Sequence, residues 1–311
     1  MHHLGYSLLL VIAAFIWGST FVAQVEGNDI GPFAFVCFRN FIATIGLCIL
    51  VKILDALGKS PRRPKTRSER IQLWKAGCAC GVALFFAMNL QQSGIYLGTS
   101  AGKSGFFTTC YIVFVPILGL FWGKKSSVKL WFCIVLTVIG LYLLSIKEDF
   151  SLQLSDGISL LCALGFAAQI QLVDKYGTHV DNVRLSAVQF FTVAILSTIP
   201  AFFIDMGASA YKAFEAFQVY SHPQPWIPLL YAAILSSGIA FTLQIIAQNK
   251  IKPTVASLLM SLESVFAVIS GWIVLGERLT LQEAIGCALM FIAVILAQIN
   301  FSAIRKADKS F

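Results

Sequence analysis

The amino-acid sequence predicts an all-α polytopic membrane protein of ten transmembrane helices, and its composition and charge pattern both indicate this fold class. Hydrophobic residues make up 58% of the 311 residues and charged residues only 12%, and the mean hydropathy is +0.80. Because charged residues form roughly 25% of an ordinary soluble domain, a soluble globular fold is excluded. The charges also lie in short loops between long apolar runs. These runs predict helices that cross a bilayer.

Ten apolar segments have the length that a crossing requires. A crossing takes about 20 mostly apolar residues as a helix, because lipid offers unpaired backbone groups no partner. In chain order the segments are 6–25, 32–53, 71–93, 100–122, 130–146, 157–173, 183–204, 226–247, 254–275 and 281–299. The first segment has no charged beginning and is followed by EGND at 26–29 without a small-residue cleavage site. We therefore interpret it as a retained helix and not as a signal peptide.

The lysines and arginines predict the orientation of the chain in the membrane. Eighteen of the 23 fall on one side of the predicted bundle, and only Lys147, Lys212 and Arg278 fall on the other. Positively charged loops stay in the cytoplasm, so both termini are predicted to be cytoplasmic. The formal net charge of +8 is therefore a topology signal, and no nucleic-acid partner is expected.

Motifs for chemical catalysis or metal binding are not found in the sequence. The eight cysteines all fall within predicted helices without C-x-x-C spacing, and the four histidines lie at the terminus or in loops. A metal site built on clustered His, Cys and carboxylate side chains is therefore not expected. There is also no H-E-x-x-H motif, P-loop or plausible Ser/His/Asp set. We expect neither an enzyme nor a cofactor.

The two halves of the chain contain similar sequence runs in corresponding positions. The run 254–298 resembles the run 99–145, with LGERLTLQE at 275–283 against WGKKSSVKL at 122–130. We predict two five-helix repeats, residues 1–148 and 149–311. An odd number of helices makes the second repeat enter the membrane from the opposite side, which gives an inverted repeat. This architecture is typical of secondary transporters, which hold their substrate near the membrane midplane between the repeats.

Five short motifs resemble those of one transporter family. They are IWGSTF at 16–21, CFRNF at 37–41, TSAGKSGF at 99–106, SLESVF at 261–266 and GERLT at 276–280. In this order they resemble the EamA-type members of the drug/metabolite transporter superfamily, over essentially the whole chain. The resemblance implies a ten-helix bundle that exports small metabolites, commonly amino acids or related compounds.

Two departures from the family pattern concern the expected site. Ser264 and Val265 stand where the family often has proline, which implies a less bent ninth helix. Gln169 stands where an aromatic residue is common in the sixth helix. The second departure implies a more polar cavity than in exporters of aromatic metabolites.

Arg39 and Glu263 are the strongest candidates for the functional site. Each lies about nine residues inside its predicted helix, which is a depth of roughly 13 Å at 1.5 Å per residue. An ionised group at this depth costs at least about 2.5 kcal/mol, so it needs a partner or a wet cavity. One hypothesis is a fixed Arg39–Glu263 pair that holds helices together. In the other, Arg39 orients a substrate carboxylate, and Glu263 binds an ammonium group or takes up a coupling proton.

Further candidates share a polar or aromatic side chain within a predicted helix. Lys103 lies one turn inside the fourth helix, where it either contacts substrate or snorkels to the interface. For the aromatic candidates the alternative is packing, and for the amides it is a hydrogen bond between helices. The aromatic and amide candidates for the cavity are Trp17, Tyr111, Trp272, Gln169 and Gln244.

The sequence thus predicts an integral, multi-pass secondary transporter of a bacterial inner membrane. Its expected partners are the lipid bilayer, a small-molecule substrate and a coupling proton. We expect export of amino-acid-like or other small polar metabolites by alternating access. The alternatives are an exchanger or importer of a larger, nucleoside-bearing metabolite, and a channel. The protein is predicted to be a monomer or a homodimer, because Gly77-x-x-x-Gly81 suits either a dimer face or close packing within one bundle.

Overall fold

The computed structural model describes residues 2–60, 62–145, 153–209, 211, 212, 214, 218–275 and 280–298, and every regular element in that part is helical. We number the helices α1 to α10 after the ten predicted segments. They are α1 His2–Glu26, α2 Pro32–Ala56, α3 Arg67–Tyr96, α4 in two segments Ala101–Thr109 and Tyr111–Phe121, α5 Val128–Ser145, α6 Leu154–Tyr176, α7 Asn182–Pro200, α8 from Trp226–Leu230 to Phe241–Gln248, α9 in two segments Pro253–Met260 and Glu263–Leu275, and α10 Leu281–Gln298. The π-helical turn Ala201–Asp205 continues α7, and the π-helical segment Tyr231–Ala240 forms the middle of α8.

The predicted membrane crossings coincide with these helices. Within the described ranges, nine helices are long and apolar enough to cross a membrane, and Val128–Leu144 in α5 is a shorter apolar helix. The prediction of an all-α polytopic protein is confirmed. The cytoplasmic location of both termini stays a prediction.

Several helices extend beyond the apolar segments that predicted them, and α3 shows why. It begins at Arg67, where the sequence pattern placed its start at residue 71. Thr66 Oγ1 accepts a hydrogen bond from the Glu69 N–H at 3.2 Å, and the Glu69 carboxylate accepts one from the Thr66 N–H at 3.3 Å. This capping box satisfies backbone donors at the helix start, so a polar turn precedes the apolar run.

Two helices that the sequence predicts as single segments are interrupted. In α4 the interruption lies at Cys110, and in α9 it lies at Ser261 and Leu262. No proline lies at the break in α9, although the resemblance linked bending of this helix to proline. The hydroxyl of Ser261 instead donates to the Leu258 carbonyl at 2.7 Å. Serine side chains that bond backbone carbonyls compete with the helix pattern and bend helices.

The packing of the helices has an internal two-fold pattern. α1 packs on α9 as α6 packs on α4, and α1 packs on α8 as α6 packs on α3. α3 packs on α7 as α8 packs on α2. α2 packs on α7, and α5 packs on α10. Exchanging each helix with the one five positions away therefore reproduces the same set of contacts, as an inverted repeat requires.

Glycines allow the closest approaches between helices. A Cβ atom on Gly18 of α1 would lie 2.5 Å from the carbonyl oxygen of Glu263 in α9. Gly77 and Gly81 of α3 face Val188 and Thr192 of α7. The Gly77-x-x-x-Gly81 motif therefore packs within the bundle.

Candidate functional site

A partly open cavity lies between helices of both halves of the chain, with about 470 Å³ of empty space including the part open to solvent. Its wall is formed by residues of α1, α2, α3, α4, α6, α8 and α9. Six of the residues singled out from the sequence line it, namely Trp17, Arg39, Tyr111, Gln169, Gln244 and Glu263.

Arg39 supplies positive charge to the cavity wall from α2. Its side chain is buried, with Nε donating to Ser237 Oγ at 3.2 Å and Nη2 donating to Ser236 Oγ at 3.0 Å. Ser237 Oγ in turn donates to Asn40 Oδ1 at 3.3 Å. Within the described part of the chain, Nη1 of Arg39 has no hydrogen-bond partner. The guanidinium is thus held on one edge and keeps donors for a further acceptor.

The serines that hold Arg39 lie in the π-helical segment of α8. Short π-helical stretches often occur at functional sites, because they displace side chains from their regular positions. This segment is also joined to α1, since the Tyr231 hydroxyl and the Ser19 hydroxyl are 2.6 Å apart. Ser236 itself lines the cavity. The local departure from α-helix therefore places polar groups around Arg39.

Glu263 supplies a carboxyl group where the interruptions of α4 and α9 meet. It is the first residue of the second segment of α9, and Thr109 is the last residue of the first segment of α4. Thr109 Oγ1 donates to Glu263 Oε1 at 3.1 Å and lies 2.6 Å from Ser264 Oγ. The hydroxyl of Tyr111, which lines the same cavity, is buried without a hydrogen-bond partner in the described part of the chain. A helix N-terminus carries partial positive charge, which favours a carboxylate at this position.

Arg39 and Glu263 do not pair with each other. Neither side chain takes part in an ion pair within the described ranges of the chain, although both line one cavity. Uncompensated charge buried at membrane depth is costly, so such residues face a partner or a polar cavity. The structure shows the cavity arrangement and not the fixed pair that the sequence left open.

Four glutamines from α6, α7 and α8 form a hydrogen-bonded chain at the cavity wall. Gln244 Nε2 donates to Gln169 Oε1 at 3.0 Å and to Gln248 Oε1 at 2.9 Å. Gln169 Nε2 donates to Gln189 Oε1 at 3.4 Å. All four residues are buried. These contacts give each of the four amides at least one partner, which lowers the cost of burying them in apolar helices.

Several polar atoms on the wall have no protein partner. Trp17 Nε1, Gln24 Oε1 and Gln244 Oε1 are buried without a hydrogen bond, and all three residues line the cavity. A buried polar group without a partner is costly, so native structures contain few of them. The wall therefore presents donors and acceptors that a polar ligand can satisfy.

Two candidates from the sequence lie outside the cavity. Lys103 Nζ is 3.3 Å from Asp156 Oδ2, which ties α4 to the beginning of α6. The same carboxylate accepts a hydrogen bond from Thr99 Oγ1 at 3.1 Å. The side chain of Trp272 is 54% exposed on the outside of the bundle. Neither residue therefore belongs to the lining of the cavity.

The sequence did not single out several residues that shape the site. Ser236 and Ser237 hold Arg39, Thr109 holds Glu263, and Gln24 lines the wall. Small hydroxyl residues are common at helix contacts in membranes, so their presence alone does not indicate a site. To identify Ser236 and Ser237 from the sequence, one would first have to know that α8 packs on α2, which carries Arg39.

The fold and the cavity together define a class of protein. A polytopic helical bundle with a two-fold contact pattern and a charged cavity between its halves has the architecture of a secondary transporter. The chain belongs to the EamA-like transporter family, whose model matches residues 4–146 and again 154–298. The family unit is thus duplicated in the chain, which is an integral, multi-pass membrane protein.

Named relatives are transporters. The threonine/homoserine exporter RhtA of Escherichia coli is 30% identical over 308 residues, which cover 97% of this chain and 92% of the relative. An uncharacterized transporter of Archaeoglobus fulgidus is 29% identical over 296 residues, covering 94% and 85% of the two chains. A solved crystal structure that is 16% identical covers 94% of this chain and 96% of the other with a TM-score of 0.74. At that identity it shows the fold alone.

Proposed function

We propose that the protein is a secondary transporter that exports small, amino-acid-like metabolites by alternating access between two five-helix repeats, residues 1–148 and 149–311. One observation carries the proposal: Arg39 and Glu263 line the same cavity without pairing with each other. A separated cation and anion complement the carboxylate and ammonium groups of a zwitterion. The name of the relative RhtA, a threonine/homoserine exporter, agrees with a substrate of this size and charge.

Arg39 is the carboxylate-binding residue in this proposal. Its Nε and Nη2 atoms are held by Ser237 and Ser236, which fixes the plane of the guanidinium. The remaining donors are free to bind a planar carboxylate, for which arginine geometry is well suited.

Glu263 has two roles in the proposal, and the two exclude each other. Its carboxylate binds the substrate ammonium, or it takes up a proton when the ammonium leaves. Either partner neutralises a charge that is costly to leave uncompensated at this depth. Competition between them couples the outward movement of one substrate to the inward movement of a proton.

Two other functions make different predictions. An obligate exchanger or importer of a larger, nucleoside-bearing metabolite would require such a compound on the opposite side for flux. A channel would show neither saturation nor counterflow. The lining of the cavity by both Arg39 and Glu263 favours a small zwitterion.

Counterflow into proteoliposomes tests the proposal. The purified protein is reconstituted with unlabelled threonine inside, and uptake of radiolabelled threonine is followed with and without a pH gradient. We expect saturable counterflow and a dependence of net flux on the gradient. In Glu263→Gln the carboxylate is lost, so we expect the dependence on the gradient to disappear.

The matched control is Glu26→Gln, because Glu26 is exposed at the end of α1. This variant is expected to keep the response of the parent to the gradient. Equal responses of Glu263→Gln and the parent would remove Glu263 from the coupling step. Flux without saturation or counterflow would reject the transporter mechanism in favour of a channel.

A further inference from the structure

One backbone carbonyl determines which atom of each glutamine amide donates and which accepts along the hydrogen-bonded chain. Gln248 Nε2 donates to the Ile170 carbonyl oxygen at 3.3 Å. A carbonyl can only accept, so the amide of Gln248 must turn its oxygen toward Gln244. Gln244 must then present its nitrogen, and the same constraint passes on to Gln169 and Gln189.

This direction leaves Gln244 with an acceptor and no spare donor. Both N–H groups of its amide are used, one for Gln169 and one for Gln248. Its Oε1 atom is buried and has no hydrogen bond, while the residue lines the cavity. A flip of the amide would place its oxygen against two other amide oxygens, so the chain opposes it. The wall therefore holds a fixed acceptor, separate from the charged groups of Arg39 and Glu263.

We propose that Gln244 determines specificity by accepting a hydrogen bond from the side chain of the substrate. This inference rests on the proposed function, in which Arg39 and Glu263 bind the α-carboxylate and α-ammonium groups. With those groups occupied, the fixed acceptor of Gln244 remains on the wall for the substrate side chain. A hydroxyl group can donate to Gln244 Oε1, whereas a methyl group of the same size cannot.

Threonine and valine differ at this one position, because a hydroxyl in threonine replaces a methyl in valine. When valine is bound, the Gln244 oxygen stays buried without a partner, which penalises its binding. A site that hydrogen-bonds a substrate hydroxyl rejects the analogue lacking it far more strongly than an apolar pocket rejects a missing methylene. We expect the protein to prefer threonine over valine by at least about tenfold in apparent affinity.

Competition in the counterflow assay tests the inference. Unlabelled threonine and valine compete with labelled threonine for the parent and for Gln244→Met, which keeps the side-chain length and removes the acceptor. We expect the preference for threonine to fall to about twofold or less in Gln244→Met, since most of the tenfold preference comes from the acceptor. The matched control is Gln171→Met, because Gln171 is a buried amide of α6 that bonds the Val115 carbonyl and lies outside the cavity lining. It should keep the preference of the parent.

The outcomes separate this inference from the proposed function. Equal competition by threonine and valine in the parent, with counterflow intact, overturns the role of Gln244 and leaves the transporter proposal standing. An unchanged preference in Gln244→Met does the same. Absence of counterflow in the parent with threonine, homoserine and valine rejects the proposed function itself, and the inference falls with it. If Gln244→Met does not fold, Gln244→Lys keeps donors for Gln169 and Gln248 and has no acceptor, so it must likewise lose the preference.

Discussion

Replacing Arg39 with alanine is expected to weaken the binding of carboxylate-bearing substrates specifically. A hydrogen bond to a charged group contributes about 1.5–3 kcal/mol, which corresponds to a roughly ten- to 150-fold increase in Kd. The hydroxyl oxygens of Ser236 and Ser237 lose the arginine as a donor, and Ser237 keeps its hydrogen bond to Asn40 Oδ1.

A pair of ligands isolates the carboxylate in a binding measurement on the purified protein. Threonine carries the carboxylate, and threoninol has a hydroxymethyl group in its place. Arg39→Ala should raise the Kd for threonine by the factor above and leave the Kd for threoninol within about twofold, a difference of roughly 0.4 kcal/mol. Arg39→Lys keeps the charge without the planar fork, so it should fall between the parent and Arg39→Ala.

Two results would refute the proposed contact between Arg39 and the substrate carboxylate. If both ligands lose affinity equally in Arg39→Ala, the residue acts on the shape of the cavity and does not contact the carboxylate. If the affinity for threonine is unchanged, Arg39 has no role in binding.

Two further predictions concern the scaffold, and both are checked by thermal unfolding of the purified protein. Gly18→Ala places a Cβ atom within 2.5–2.7 Å of backbone atoms of α9, so we expect the free energy of unfolding to fall by about 1–3 kcal/mol. In the control Gly46→Ala the added Cβ atom enters open space, so the stability should not fall. An equal Tm for the two variants would contradict the close approach. Asp55→Asn weakens the ion pair in which Arg184 Nη2 lies 2.6 Å from the Asp55 carboxylate. It should lower the Tm more than Arg63→Gln does, because Arg63 lies 3.7 Å from Asp55 and is largely exposed. A larger effect of Arg63→Gln would show that the Arg184 pair adds little.

The helices and the two buried charges could be predicted from sequence because both follow from local properties. An apolar run of the right length has few alternatives in a membrane, and Arg39 and Glu263 are conspicuous in such runs. Their depth follows from counting residues. Gln169 and Gln244 could be named as candidates for the cavity lining, because amides in apolar helices require hydrogen-bond partners or a polar cavity.

The interruptions and the partners of the charges depend on contacts that are distant in sequence. Thr109 meets Glu263 only because α4 packs on α9, and Ser236 meets Arg39 only because α8 packs on α2. The position of Lys103 near the helix end was predicted, but its pairing with Asp156 of α6 was not. Hydropathy gives the depth of a residue in the membrane but not the direction in which its side chain points.

The two-fold pattern of helix packing constrains how the cavity can change its access. In an inverted repeat, the opposite-facing shape arises when the two repeats exchange their conformations. The contacts of α2 with α7 and of α5 with α10 map onto themselves in this exchange. The contact of α4 with α9 does so as well. The contact of α2 with α7 carries the Asp55–Arg184 pair at its end. Contacts such as that of α1 with α9 map instead onto a different contact, that of α6 with α4. In the alternating access proposed above, the self-mapped contacts would therefore look the same from both sides of the membrane, and the others would exchange their geometries.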